Sequence, residues 1–132
     1  LGDVYKRQII DTILNCLASL LGGLPKIMFS AILLVAQVIV TFFVPSSSGA
    51  AALTMPVMAP LADLVHINRD VVVLSNQFGN GLMNLISPTG GVLLAGLAIA
   101  EINFSKWLKV GSKIFVILFV ASAILLYIAT LL

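Results

Sequence analysis

The chain is 132 residues long, 61% hydrophobic and only 9% charged, with a mean hydropathy of +1.18 and a formal net charge of +2. Soluble domains carry roughly 25% charged residues, so this composition belongs to an integral membrane protein. The small positive charge, with no Lys or Arg cluster interleaved with stacking aromatics, excludes nucleic acid as a partner, and a single cysteine, Cys16, excludes an intrachain disulfide or a cysteine-built metal cage.

Residues 1–8 read unlike the rest of the chain. Asp3-Val4-Tyr5-Lys6-Arg7-Gln8 resembles one reading frame of the transposon end used in sequencing libraries. That segment is expected to be a cloning or assembly scar and is kept out of the fold reading. Residues 9–132 read as the C-terminal part of a longer protein. Ile9 to Leu21 is a helix candidate with Asp11 and Thr12 near its start and Gly22-Gly23 as its stop. It is too short to cross roughly 30 Å of hydrocarbon. Cys16 within it reads as a small packing residue.

Pro25 opens the next helix, which runs from Ile27 to Phe43 and is broken only by Ser30, Gln37 and Thr41. Val44-Pro45-Ser46-Ser47-Ser48-Gly49 then interrupts it, and Ala50 to Leu64 returns with Pro56 and Pro60 inside. No charge occurs between Lys26 and Asp63, and neither Trp nor Tyr stands at the turn, where a membrane interface usually places its anchors. Residues 26–65 therefore read as a re-entrant helical hairpin whose tip lies within the membrane. Non-helical backbone at that depth is tolerated only where protein buries it or a wet cavity meets it. Two ordinary spanning helices joined by an interfacial loop are the alternative, since both arms are of borderline length.

Asp63 to Asp70 is the first hydrophilic linker. His66 stands there without a second ligand and carries no metal or catalytic reading. Asn68 is placed to cap the next helix, with Asp70 in its first turn. From Val71 to Ala100 the chain is again uncharged, but Ser87-Pro88-Thr89-Gly90-Gly91 breaks the tract. Proline removes a donor and the glycines loosen the helix, so free amides and carbonyls are expected there. Asn76, Asn80 and Asn84 recur at steps of four and share one helix face. Such a stripe faces a bundle interior or a watery path for ions, or serves as hydrogen-bonding glue between helices. Residues 69–101 thus read as a broken transmembrane helix.

Glu101 to Lys109 forms the second linker, with Trp107 as a headgroup anchor. Residues 108–132 make a final unbroken spanning helix, whose Ser112, Ser122 and Thr130 are expected to bond their own backbone. Lys106, Lys109 and Lys113 near one face, against Lys26 and Arg69 near the other, place the Lys106–Lys113 side in the cytoplasm of a multi-pass protein of the cell (inner) membrane. The fold class is an all-α membrane protein: re-entrant hairpin, broken helix and C-terminal spanning helix.

Two broken segments with polar breaks point to a transporter binding site. Half-helix N-termini offer amides to a carboxylate, while carbonyls with Ser, Thr and Asn oxygens suit Na⁺. The substrate-binding expectation falls on Ser46, Ser47, Ser48 and Gly49 at the tip and on Ser87, Pro88, Thr89 and Gly90 at the break, converging near the membrane midplane. Asn76, Asn80 and Asn84 are the candidate ion or polar path. No organic cofactor is expected. No acidic residue stands in the core, so Na⁺ coupling or exchange fits more simply than H⁺. Two other readings stand beside transport. One is a non-transporting membrane assembly subunit. The other is an intramembrane hydrolase, for which the serines lack a leading glycine and a base within reach.

The stretches FFVPSSSGAAALTMPVMAPLADLV and LSNQFGNGLMNLISPTGGVLLAGLAIAEINFSKWLK resemble the C4-dicarboxylate anaerobic carrier family, nearest its YfcC-like branch. The resemblance runs from about Ile9 to the end. It implies half of an inverted-repeat transporter of the ion-transporter superfamily, with the tip and the break as its binding motifs. It also implies as partners the lipid bilayer, an N-terminal repeat of the same protein, a homodimer mate and a small carboxylate or amino-acid solute. One departure is Asn80, at a position where that pattern often carries an acid, which removes a carboxylate-based cation site.

Overall fold

The computed structural model describes residues 23–132 together with Val4, Gln8, Thr12, Asn15, Cys16 and Ser19. Apart from those six positions, among which Cys16 is exposed rather than packed, the segment 1–8 and the helix expected over residues 9–21 lie outside the described residues. The described chain is all α: α1 (Lys26–Phe43), α2 (Ser47–Leu64), α3 (Arg69–Ile86), α4 (Gly91–Ile99) and α5 (Phe104–Leu131). Three stretches are long and apolar enough to cross a membrane, namely Lys26–Phe43, Arg69–Ile99 and Phe104–Leu131. The protein is an all-α membrane protein.

Pro25 takes the position just before α1, and its carbonyl accepts from the N–H of Met28 and Phe29. Helix α1 then runs for 18 residues, about 27 Å at 1.5 Å per residue. The hairpin turn is tighter than the sequence suggests. Only Val44, Pro45 and Ser46 leave the helix, and Ser47, Ser48 and Gly49 already form the first turn of α2. Ser46 explains this early start, because its hydroxyl accepts the N–H of Gly49 at 3.3 Å and caps the helix. Pro56 and Pro60 lie inside α2 without ending it.

Helices α2 and α4 stop alike. His66 and Glu101 adopt left-handed conformations, with φ of 57° and 54°. In each case the following N–H reaches back five residues, Ile67 to Ala62 and Ile102 to Leu97, both at 2.9 Å. These are Schellman turns, a position usually given to glycine. The lone histidine is thus a chain-reversing residue. Asn68 precedes α3 as expected, but its side chain makes no capping bond.

The core lies between α1, α2, α3 and α5. Phe29, Leu33, Leu34, Leu61, Ala62, Val71, Val72 and Leu126 are all buried in one cluster. Gln37 of α1 bonds Asn76 of α3, and one turn or two further on the hairpin tip reaches Asn84 and Leu85. Both helices therefore advance in the same direction. Helix α5 runs against them. Its early residues Trp107 and Gly111 touch Leu85 and Ile86, and its late residues Ala123 and Tyr127 lie beside Ile27 and Ala31.

Helix α4 does not prolong α3. It is 9 residues long, about 14 Å, whereas Phe104 to Trp107 rises only about 5 Å before the indole meets Leu85. Two collinear pieces would leave that indole far above its acceptor. The break therefore turns the chain aside, and α4 leans away from the α3 axis.

Candidate functional site

The site begins with what Pro88 does to α3. A proline at this position supplies no N–H, so the carbonyl of Asn84 loses its helical donor. The next amide is also diverted, because Thr89 donates its N–H to the Ser87 hydroxyl at 3.3 Å. The Ser87 and Thr89 hydroxyls lie 2.6 Å apart, and Ser87 itself is fully buried. Gly90 closes the turn by donating to the Ser87 carbonyl at 3.2 Å, and α4 restarts with Leu94 bonding Gly90.

That rearrangement would leave the Leu85 carbonyl unpaired inside the bundle. Trp107 supplies the missing donor, its indole N–H lying 2.9 Å from that oxygen. Gly111 makes room for the ring, since a Cβ there would stand 3.3 Å from the indole nitrogen and 3.5 Å from Ile86. The residue read as a headgroup anchor is thus also a partner of the break. Tip and break consequently lie level with the first turns of α5, toward one end of the α1–α3–α5 bundle rather than at its middle.

The tip faces the break across a cleft of about 760 Å³ lined by Pro45, Ser46, Ser47, Ser48, Asn84, Leu85 and Gly90 to Leu93. Of the residues expected at the site, Ser46, Ser47, Ser48 and Gly90 line it. Gly49, Ser87, Pro88 and Thr89 do not, and they act instead in the two turns. Gly49 is confined by its own turn, where a Cβ would meet Val44 and Ser46 at 3.2 and 3.3 Å. Two helices begin at this cleft, α2 with Ser47 and α4 with Gly91, so two sets of first-turn amides and two positive dipole ends converge on it. Helix α3 ends there and brings carbonyls. None of the lining residues is charged.

The asparagine stripe runs from this cleft into the protein. Asn84 is exposed on the cleft and donates to Asn80 at 2.9 Å, Asn80 is buried, and Asn76 is buried and donates to Gln37 at 3.1 Å. Gly79 permits the approach of the two helices, since a Cβ there would lie 2.7 Å from the Gln37 Cβ and 3.0 Å from its backbone. Sequence reasoning placed the asparagines on one face but missed Gln37 and Trp107. Gln37 was visible as a polar break in an apolar run, but nothing in the sequence gave its register against α3.

Away from the cleft, the base of the hairpin is tied by Arg69, whose Nε donates to both Asp63 oxygens at 3.0 and 3.1 Å. The hydrogen bond from Arg69 holds the Asp63 carboxyl below the usual aspartate range, and the guanidinium charge adds to it. No cluster of metal-ligating side chains occurs among the described residues.

Comparison with known proteins gives three findings. The sequence model of the family described as C4-dicarboxylate anaerobic carrier matches residues 3–131. A protein of Escherichia coli (strain K12) named "Putative basic amino acid antiporter YfcC" is 42% identical over 123 residues, covering 93% of this chain and 24% of that protein. An uncharacterized protein of Haemophilus influenzae is 43% identical over 102 residues, covering 77% of this chain and 20% of its own length. The chain thus spans about a quarter or less of the relatives it matches. No solved structure matches significantly.

Proposed function

The chain belongs to the C4-dicarboxylate anaerobic carrier family, and on that premise we propose that it is one repeat of a secondary active transporter for small carboxylate-bearing solutes, C4-dicarboxylates or amino acids. The cleft between Ser46–Ser48 and Asn84–Leu93 is its share of the binding site. One observation carries the reading: two helix N-termini open onto an uncharged cleft. Such ends bind an anion through amides and dipoles, without a cationic side chain that the membrane would disfavour. The carbonyls ending α3 and the Asn84 amide offer oxygen to the ammonium group of an amino acid. The family description favours dicarboxylates and the name of the E. coli relative favours basic amino acids.

In this reading transport is ion-coupled or proceeds by exchange. A Na⁺ ion suits the oxygens of Ser46, Ser47, Ser48, Asn84 and Gly90 that line the cleft, and H⁺ is the less favoured coupling ion because no carboxylate lines it. The protein sits in the cell (inner) membrane with the Lys106–Lys113 side cytoplasmic, and the tip and break lie nearer that side. An N-terminal repeat of the same protein completes the site, in a homodimer.

Proteoliposomes bearing the intact protein, offered radiolabelled succinate and radiolabelled arginine, test the proposal. Ser47→Trp fills the cleft and Thr89→Trp distorts the turn beside it. Each should abolish uptake without lowering membrane abundance. Uptake unchanged by both substitutions would refute the site.

A further inference from the structure

The seam between α1 and α3 holds three buried polar atoms without a protein partner among the described residues: Gln37 Nε2, Thr41 Oγ1 and Asn80 Nδ2. Their residues are 0%, 0% and 6% exposed. An unpaired polar group in such a place costs about 1–3 kcal/mol, and three within one turn of each other form a site rather than an accident. Gln37 and Thr41 stand four apart on α1, as Asn76 and Asn80 do on α3. Because the helices are parallel and Gln37 bonds Asn76, the same register sets Thr41 beside Asn80. The other amide oxygens are already committed, Gln37 Oε1 to Asn76 and Asn80 Oδ1 to Asn84.

We propose that this seam is a hydration site, in which Gln37, Thr41 and Asn80 hold one or two ordered waters behind the cleft. The unmet groups are chiefly N–H donors, so the guest must accept hydrogen bonds. Water accepts from both amides and donates to the threonine hydroxyl. Two to four polar partners are what a buried water usually takes. A cation would face amide hydrogens in this arrangement, and with both amide pairs turned over it would gain only three oxygens. The water joins Asn84, on the cleft wall, to Gln37 and Asn76 in the core. The asparagine stripe is therefore continuous only when wet.

The sign of a stability change tests this. In the intact, detergent-purified protein, Thr41→Val keeps the shape and removes the hydroxyl. A watered site then loses a partner for its guest, and the melting temperature falls by roughly 3 °C, equally in Na⁺ and in choline buffers. Thr41→Ser, which keeps the hydroxyl, should restore most of the loss. Failure of Thr41→Val to assemble while Thr41→Ser assembles counts as the same loss. An unchanged or raised melting temperature in Thr41→Val means a dry seam with an orphan removed, and overturns the proposal. Stabilisation by Na⁺ that Thr41→Val abolishes identifies a cation instead, and overturns it equally. Neither result depends on solute uptake, so a failed cleft assignment and a failed water site remain distinguishable.

Discussion

Ser87 governs the shape of the break because its hydroxyl serves two partners, the Thr89 N–H and the Thr89 hydroxyl, while wholly buried. Ser87→Ala should lower the unfolding free energy by about 1–2 kcal/mol, measured by thermal or denaturant melting of the purified protein. Ser48→Ala, at an exposed position on the cleft, should leave stability unchanged. Trp107→Phe strands the Leu85 carbonyl at similar cost, about 1–3 kcal/mol, and should impair solute uptake although the ring lies outside the cleft. Uptake at the parental rate would show that the indole bond does not position the break. The Ser87–Gly91 interruption was legible because proline and paired glycines punctuate an uncharged tract. Trp107 and Gln37 were not, because their partners lie 22 and 39 residues away. Only the packed register of separate helices decides such pairs, and a periodicity within one helix carries no such register.

The same division holds for whole elements. The five helices and the two breaks follow from apolar runs and their interruptions, but the ends shift where side-chain chemistry intervenes. Ser46 draws Ser47 and Ser48 into α2 by capping it, and the final helix begins at Phe104 rather than near residue 108. Ser112 and Thr130 do bond their own helix, to Lys109 and Leu126. The lean of α4 was illegible, since it follows from where Trp107 lands. At the α1–α3 seam, Gly79→Ala should drive its methyl into the Gln37 Cβ at 2.7 Å and the Gln37 backbone at 3.0 Å, neither of which can rotate away. A loss of about 1–3 kcal/mol is expected, checked by melting. The hairpin base behaves differently. Asp63 has a lowered pKa, so its pairing with Arg69 contributes fully at pH values above the ordinary aspartate range. That contribution fades as acid carries the pH down through the lowered value. Both partners are solvent-exposed, so Asp63→Asn should leave neutral-pH stability nearly unchanged and flatten only the acid limb of a stability-against-pH curve.

At the scale of the molecule, the described helices bury polar groups better than they bury apolar ones. Val92 and Ile99 of α4 are 91% and 85% exposed, and most of the α5 surface is apolar and uncovered. Side chains of this kind need either lipid or further protein against them. The matched relatives are four to five times as long as the aligned stretch, so a protein of that length has both coverings on hand. They divide by position: α5 has the long, uniformly apolar surface that suits lipid, whereas α4 leans beside a polar cleft that lipid tails would not fill. A cysteine at Ile99, exposed on α4 but outside the cleft lining, should therefore resist a water-soluble maleimide in the intact protein and react once the chain is expressed alone. A cysteine at Ser48 should react in both and be protected by solute only in the intact protein. The same logic predicts that the isolated chain inserts into membranes but moves no solute. Exchanged for the matching segment of the E. coli relative, it should restore uptake in proteoliposomes, because the two segments are 42% identical over 123 residues. A chimera that folds and inserts yet transports nothing would mean that the cleft alone does not complete a site, and that the covering surface of α4 helps to build it.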